Sequence, residues 1–195
     1  MDLYLASGSP RRAQLLAQIG LHISKIASDI DETPYENELA LAYTERMAWQ
    51  KSEQALALFV AAHGAEPELP VLTADTSVAI DGLILGKPDN HTHAAAMLRM
   101  LSGRSHQVIS SVVVWHRGQR SQATQVSDVA FRPLTEAEIQ AYVKSGEADD
   151  KAGAYGIQGE AAVFIEHLSG SFSGVMGLPL FETAALLRQL NVSKQ

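Results

Sequence analysis

The sequence contains no cysteine. This absence excludes disulfide bonds, thiolate metal centres, iron–sulfur clusters and cysteine nucleophiles from any function of the chain. A chain without disulfides suits a reducing compartment. Since no secretory signal pattern is apparent near the start either, we expect a cytoplasmic protein.

Positive charge is also scarce. The 195 residues include 15 lysines and arginines against 22 aspartates and glutamates, for a net charge of −7. Proteins that hold long nucleic acids or anionic membranes usually have the opposite balance. No long apolar run suggests a membrane span. We therefore expect neither nucleic acid polymers nor membranes as partners, and any anion site must be a local cluster that suits a small ligand.

Several common site motifs are missing as well. The sequence has no GxxxxGK[ST] phosphate loop, no GxGxxG dinucleotide fingerprint and no GxSxG nucleophile elbow. What is present is the composition of an ordered, enzyme-sized protein, with 46% hydrophobic and 19% charged residues. This length and composition predict a single domain over residues 1–195.

The stretch 3–20, LYLASGSPRRAQLLAQIG, is the most informative one present. It predicts a short buried strand and then a helix that begins at Pro10, with Ser9 as its N-cap. Arg11 and Arg12 would lie in the first turn, where the helix dipole disfavours each cation by about 0.3–1 kcal/mol. Such a helix end indicates an anion that offsets the two charges.

A phosphate group would suit this helix end, because free backbone N–H groups, two serine hydroxyls and two guanidinium groups converge there. The hydroxyls belong to Ser7 and Ser9. The alternative is that both arginines are solvated, or that they pair with the acidic segment 29–38.

The rest of the chain alternates between helices and strand pairs. Strand pairs are expected over 70–85 and 105–131, a further strand over 161–168, and helices over about 38–63, 92–101, 135–145 and 179–190. Because hairpins do not fit a purely parallel βαβ array, we predict an α/β (mixed α+β) fold whose mixed sheet is covered by helices.

Asp75 interrupts a strand that should be largely buried. Aspartate is depleted in strands, and a buried carboxylate is costly unless it is paired or holds a metal. By the period of two it shares a face with Thr73 and Ser77, while Thr76 opens the other face. We favour a catalytic or metal-binding carboxylate; the alternative is a strand-end aspartate that satisfies a turn.

Four weaker signals accompany Asp75. Lys51 falls in register with apolar residues of the long helix, so it either snorkels to solvent or points into a cleft. Glu32 lies in an acidic loop of a kind that is normally solvated. Lys87 sits in a constrained loop between a glycine and a proline. Gln158 offers a donor and an acceptor, which suits the edge of a base, although its glycine-rich stretch also fits a tight turn.

In combination these motifs resemble the Maf family of nucleoside triphosphate pyrophosphatases. The shared motifs span nearly the whole chain in the family's order: Ser7-Gly8-Ser9-Pro10-Arg11-Arg12, Asp31-Glu32-Thr33, Lys51, Ala74-Asp75-Thr76, Leu85-Gly86-Lys87-Pro88, Leu101-Ser102-Gly103, 150–159 and Gly177-Leu178-Pro179. The resemblance implies a strongly twisted mixed sheet flanked by helices, with two lobes around a central cleft, as in inosine triphosphate pyrophosphatases. It also implies a divalent metal (Mg²⁺ or Mn²⁺) and a homodimer.

Within that family the chain is similar to the branch that acts on dTTP and UTP. Arg11, Thr76 and Gln158 stand where the branch that acts on 7-methyl-GTP typically carries tryptophan, glutamine and glutamate. Phe172 is a small departure, since relatives often have tyrosine there, and the lost hydroxyl could affect a loop contact.

The resemblance implies an enzyme that cleaves dTTP and UTP, or modified pyrimidine nucleotides, to the monophosphate and pyrophosphate. Asp75 would activate the attacking water and touch the metal, and Glu32 would be a second metal carboxylate. Arg12, Lys51 and Lys87 would neutralise the triphosphate as charge builds on the leaving group.

The remaining predicted site residues would bind the substrate. Ser7, Ser9 and the first helix turn would hold a phosphate, while Arg11, Thr76 and Gln158 would select the base. The alternative function is a nucleotide-binding regulator of cell division or septum formation, an association that the family name carries.

Overall fold

The computed structural model describes residues 2–190. Within this range one sheet contains the strands β1 (Asp2–Leu5), β2 (His22–Lys25), β3 (Val71–Ile80), β4 (Leu83–Leu85), β5 (Ser105–His116), β6 (Gln119–Phe131) and β7 (Ile165–Ser169). The α-helices are α1 (Pro10–Gln18), α2 (Ala40–His63), α3 (His91–Leu101), α4 (Glu136–Lys144), α5 (Phe172–Val175) and α6 (Leu180–Gln189). Short 3₁₀ helices cover Ala152–Ala154 and Glu160–Phe164.

The sheet is mixed, as the sequence predicts. The strands follow the order β2-β1-β3-β5-β6-β7, and β4 also pairs with β3. β1 runs parallel to both β2 and β3, whereas the pairs of β3 with β4 and β5, and of β6 with β5 and β7, are antiparallel. The helix–hairpin alternation therefore produces the predicted mixed α/β fold.

The sheet splits along one edge of β3. β5 covers the other edge over 71–79. On the split edge β1 pairs only with Val71 and Leu72, and β4 pairs only with 78–80. Among the described residues no strand pairs with 73–77 on that edge. This interval holds Asp75 and opens the sheet at its centre.

The described residues form three buried hydrophobic clusters. The largest includes Leu98 and Phe131 and joins α3 and α4 to the long hairpin. The second includes Leu3 and Leu16 and joins α1 and α6 to β1, and a small third one contains Trp115. Residues of all three clusters line the cleft at the opening.

Helix signals in the sequence are mostly confirmed, with one exception at α1. The helix expected over 135–145 begins with a capping box that Thr135 and Glu138 form at the start of α4. Pro10 begins α1, and Ser9 occupies its N-cap position, but the Ser9 side chain accepts no helix N–H. Instead the Ser9 N–H donates to Ser7 Oγ at 3.2 Å. The Ser9 hydroxyl therefore has no capping role.

Two elements near the C-terminus differ from the prediction. The strand expected over 161–168 starts as the 3₁₀ helix Glu160–Phe164 and becomes extended only at Ile165. Its first turn is held by Glu147, whose carboxylate accepts from the Glu160 N–H at 2.9 Å, a contact that local sequence does not reveal. The short α5 was not expected, and Ser171 caps it. No helix of residues 2–190 has the length and apolar character of a membrane span.

Gly153 connects two loops of the cleft and provides a stability test. Its N–H donates to the Gly86 carbonyl at 3.0 Å, its φ is +68°, and an added Cβ would lie 2.9 Å from Val78. We expect Gly153→Ala to lower the free energy of unfolding by about 2 kcal/mol or more, because backbone strain and overpacking add. Urea denaturation measures this change.

Gly64→Ala is the matched control, because Gly64 has a φ of +73° but no heavy atom within 4 Å of an added Cβ. Its free energy of unfolding should fall only by the cost of backbone strain, about 1 kcal/mol. Equal losses in the two variants would show that the Val78 contact imposes no cost.

Candidate active site

A cleft of about 450 Å³ lies at the open edge of β3. Every site residue predicted from the sequence lines it: Ser7, Ser9, Arg11, Arg12, Glu32, Lys51, Asp75, Thr76, Lys87 and Gln158. They come from the β1–α1 loop, the acidic loop, α2, β3, the loop after β4 and the glycine-rich loop. The structure thus brings into one place residues that are up to about 150 positions apart.

Thr73, Asp75 and Ser77 form a polar stripe on one face of β3. This stripe faces α2 and fixes the position of that helix. Thr73 Oγ1 donates to the Ala48 carbonyl at 2.8 Å, and the hydroxyl oxygens of Ser77 and Thr44 lie 2.8 Å apart in a hydrogen bond. These buried bonds set the register of α2 against β3. Lys51 follows Ala48 by three residues on the same face of the helix, and its side chain reaches Asp75 in the middle of the stripe.

Lys51 points into the cleft rather than to solvent. Its Nζ lies 2.6 Å from Asp75 Oδ1 and 2.6 Å from Glu32 Oε1. The side chains of Lys51 and Asp75 are only 12% and 11% exposed, whereas that of Glu32 is 49% exposed. One ammonium group therefore holds two carboxylates, and the alternative that Asp75 serves a turn is not what the structure shows.

The surrounding cations affect the Glu32 carboxylate. Partial burial alone would raise its pKa, but the hydrogen bond and charge of Lys51, together with the charges of Lys87 and Arg12, lower its pKa overall. Glu32 therefore stays ionised at neutral pH.

Tyr43 is a cleft residue that the sequence prediction of the site did not include. Its hydroxyl donates to the Glu32 backbone carbonyl at 2.9 Å and so fixes the acidic loop. Burial, followed by the negative charges of Asp75 and Glu32, raises the pKa of Tyr43 to about 12. Its spacing of about two helical turns from Lys51 is a signal that could have placed both on one face of α2.

Arg12 is a partly buried cation held by neutral groups. Its Nη1 donates to Ser7 Oγ at 2.9 Å and its Nε to the Gly177 carbonyl at 2.8 Å, while Nη2 lies 3.5 Å from Thr76 Oγ1. Burial lowers its pKa, and the charge of Asp75 opposes this shift. No carboxylate of the described residues pairs with Arg12, so its charge is available to an anion.

Arg11, unlike Arg12, forms an ion pair within residues 2–190. Its Nη1 lies 2.9 Å from Asp150 Oδ2, and Asp150 also pairs with Lys151. This contact ties α1 to the glycine-rich loop that carries Gln158. Neither arginine pairs with the acidic segment 29–38 within the described structure, which removes that alternative.

Lys87 is exposed in the loop after β4. Among the described residues it forms no ion pair within 4 Å. Its charge nevertheless contributes to the lowered pKa of Glu32. Lys87 and Arg12 are therefore cations whose charge a ligand can use.

The cleft has two chemically different sides, because successive β3 residues point to opposite faces of the sheet. Asp75 faces α2 together with Glu32 and Lys51; we call this the carboxylate side. Thr76 faces the other way, next to Arg12, and we call this the arginine side. Both sides open into the cleft because 73–77 is uncovered at the sheet edge.

Metal binding would need ligands beyond the side chains present. Within residues 2–190 no three histidine, aspartate or glutamate side chains converge as a metal centre. Glu32 and Asp75 do lie together, since both contact the same Nζ. Mg²⁺ is typically held by one or two carboxylates plus substrate phosphates, so this pair fits a metal that arrives with a phosphorylated ligand.

Comparisons with known proteins find similar sequences over nearly the whole chain. A family model described as Maf-like protein matches residues 2–190. A dTTP/UTP pyrophosphatase of Chromobacterium violaceum is 54% identical, with 96% of this chain and 93% of that protein covered. A nucleoside triphosphate pyrophosphatase of Haemophilus ducreyi is 52% identical, with 97% and 95% covered. A dTTP/UTP pyrophosphatase of Pasteurella multocida is 51% identical, with 98% and 96% covered.

One solved structure shows a weaker similarity. The Staphylococcus aureus Ham1 protein superposes with a TM-score of 0.47 at 14% identity, over 67% of this chain and 72% of that chain. A similarity of this size does not establish a common fold.

Replacing Lys51 tests the shared ion pair. In Lys51→Met the carboxylates of Glu32 and Asp75 lose their common cation, so we expect the pKa of Glu32 to rise. Carbon-detected NMR titration of the glutamate side chains measures this pKa. The control is Lys25→Met, at an exposed position on β2, which should leave the pKa of Glu32 unchanged.

The same variant should alter the dependence of stability on pH. The folded pKa of Glu32 lies below its usual 4.5, so the pair contributes stability above that pH and loses it as pH falls through the folded pKa. In Lys51→Met the free energy of unfolding should fall less steeply over this acidic range, which we call the acid limb. An unchanged Glu32 pKa together with an unchanged acid limb would contradict the assigned pairing.

Proposed function

Because the chain belongs to the Maf-like protein family, we propose that it hydrolyses dTTP and UTP between the α and β phosphates, releasing the monophosphate and pyrophosphate. The curated relatives with that activity in their names support the substrate class, at about half identity over nearly the full length. The observation in this chain that carries the proposal is the carboxylate pair on Lys51, which faces available cations across one cleft.

The cations on the cleft wall suit a triphosphate. Arg12 and Lys87 pair with no carboxylate among the described residues, and Ser7 lies against Arg12. The first residues of α1 also line the cleft, and the N-terminus of a helix favours an anion. In this proposal they bind the phosphate chain and stabilise the charge that develops on leaving pyrophosphate.

Asp75 is the proposed general base. Its carboxylate is buried on the carboxylate side and held by Lys51, so its orientation is fixed before substrate arrives. A positioned carboxylate accepts a proton from the attacking water as the water bonds to the α phosphorus. We propose that the main role of Lys51 is to hold this carboxylate and not to bind the phosphates directly, because both of its close contacts are with carboxylates.

A divalent cation, Mg²⁺ or Mn²⁺, is part of the proposal. Glu32 and Asp75 would hold it together with phosphate oxygens of the substrate. When bound, the cation supplies positive charge that polarises the phosphate oxygens.

Base selection is proposed for Arg11, Thr76 and Gln158. Asp150 fixes the Arg11 guanidinium near the loop of Gln158, while Thr76 lies deeper in the cleft. A site built on hydrogen bonds rejects a base with the wrong donors strongly, because its own polar groups would be left unpaired.

The alternative of a regulator without turnover is not favoured by the cleft. Binding of a metal–nucleotide complex alone would not need a buried carboxylate that is held in place to accept a proton from water. Modified pyrimidine triphosphates remain candidate substrates of the same chemistry. A homodimer, a cytoplasmic location and the absence of polymer or membrane partners stay predictions.

The products test the site of attack. With dTTP or UTP and Mg²⁺, we expect one monophosphate and one pyrophosphate per turnover, resolved by anion-exchange chromatography. Release of orthophosphate with the nucleoside diphosphate would contradict attack at the α phosphorus.

Removing the charge of Asp75 tests its role as base. We expect Asp75→Asn to lower kcat for dTTP by about 10²-fold or more with a small change in KM, because the amide cannot accept the proton of water. Asp128→Asn, at an exposed position on β6, is the control and should keep kcat. Near-normal turnover in Asp75→Asn would exclude the role.

A further inference from the structure

Ser110 lies behind the arginine side of the cleft and is fully buried. It sits on β5 directly across from Thr76 in the antiparallel register. Its Oγ lies 2.7 Å from Thr76 Oγ1 and 2.7 Å from the Gly174 carbonyl oxygen. Thr76, in contrast, is partly exposed and lines the cleft.

The direction of each hydrogen bond among these three oxygens follows from the number of hydroxyl protons available. A carbonyl oxygen only accepts, so the short contact with Gly174 requires the single Ser110 proton. Ser110 therefore has no proton left for Thr76. Its 2.7 Å contact with Thr76 must use the Thr76 proton, with Ser110 as the acceptor.

The reverse arrangement is unfavourable. If Ser110 donated to Thr76, the Thr76 proton would be left for the Gly177 carbonyl at 3.4 Å, a distance at which a hydroxyl hydrogen bond is poor. The Ser110 and Gly174 oxygens would then face each other at 2.7 Å without a proton between them. Two short bonds in one direction outweigh one short and one long bond in the other.

We infer that Ser110 is a positioning residue that fixes the Thr76 hydroxyl as a hydrogen-bond acceptor toward the cleft. A ligand group opposite Thr76 must then be a donor. The imide N3–H of thymine and uracil is such a donor, whereas N3 of cytosine is an acceptor. This inference rests on the proposed function and assigns part of its discrimination between pyrimidines to a residue that the substrate does not touch.

The position of Ser110 in the sheet separates this recognition role from the residues proposed to carry out hydrolysis. Thr76 and Ser110 share the face of Arg12, while Asp75 lies on the opposite face with Lys51. A change at Ser110 can therefore alter recognition of the base without moving the carboxylate pair.

The test compares kcat/KM for dTTP with kcat/KM for dCTP. Wild type should prefer dTTP. In Ser110→Ala the Thr76 proton is released and can turn to donate to cytosine N3, so the ratio of dTTP to dCTP should fall about tenfold or more. A loss that only loosens packing would lower both values together and leave the ratio unchanged.

Two further variants show whether the effect passes through Thr76. Ser111→Ala removes an equally buried hydroxyl from the neighbouring position of β5, on the opposite face, and should leave the ratio unchanged. Thr76→Val should lower the ratio by itself. Adding Ser110→Ala to Thr76→Val should then change the ratio no further, as expected for residues that act in series.

Folding of each variant is checked by its thermal unfolding transition. If Ser110→Ala does not fold, Ser110→Cys serves in its place, because a thiol is close in size but accepts hydrogen bonds weakly, and the ratio should fall in the same direction. A ratio within twofold of wild type in the folded variant overturns the inference, as does a wild-type ratio near one. Absence of wild-type dTTP turnover would instead overturn the proposed function.

Discussion

Lys51 places its ammonium group 2.6 Å from the carboxylates of both Glu32 and Asp75, next to a sheet edge that no described strand covers. Without that cation two negative side chains would repel each other in a space shielded from water. The contact depends in turn on the packing of α2, which buried hydrogen bonds from the β3 stripe hold in register. The position of this ion cluster is therefore set by the packing of the fold.

The split of the sheet also brings a second set of polar side chains, Thr76 and Arg12, to the same cleft. Because β1 and β4 pair with opposite ends of β3, both faces of its central residues reach the same cleft. Asp75 and Thr76 are neighbours in sequence yet serve opposite sides, one beside the lysine and one beside Arg12. Such an arrangement keeps the carboxylates of Glu32 and Asp75 apart from the side chains that we propose to recognise the base.

Part of this site was predictable from the sequence because a few of its residues break local rules. Asp75 in a buried strand and two arginines at a helix start each cost free energy, a pattern typical of functional sites. Glu32, Lys51, Lys87 and Gln158 carry weak signals of their own and were assigned through the family resemblance. The hairpins and capped helices followed from periodicity and turn residues. The contacts of Tyr43 with the acidic loop and of Ser110 with Thr76 were not predictable, since they depend on strand register and on chain segments far apart. The 3₁₀ turn at Glu160–Phe164 was missed for the same reason.

A crystal structure with Mg²⁺ and a dTTP analogue whose α–β bridge is an imido group would show how the nucleotide lies in the cleft. We expect the triphosphate between Lys87 and Arg12, with the α phosphorus facing Asp75 through one water and the thymine N3–H on Thr76. A nucleotide bound outside the cleft, or a thymine ring lying against the Lys51 ion cluster with the phosphates elsewhere, would contradict it.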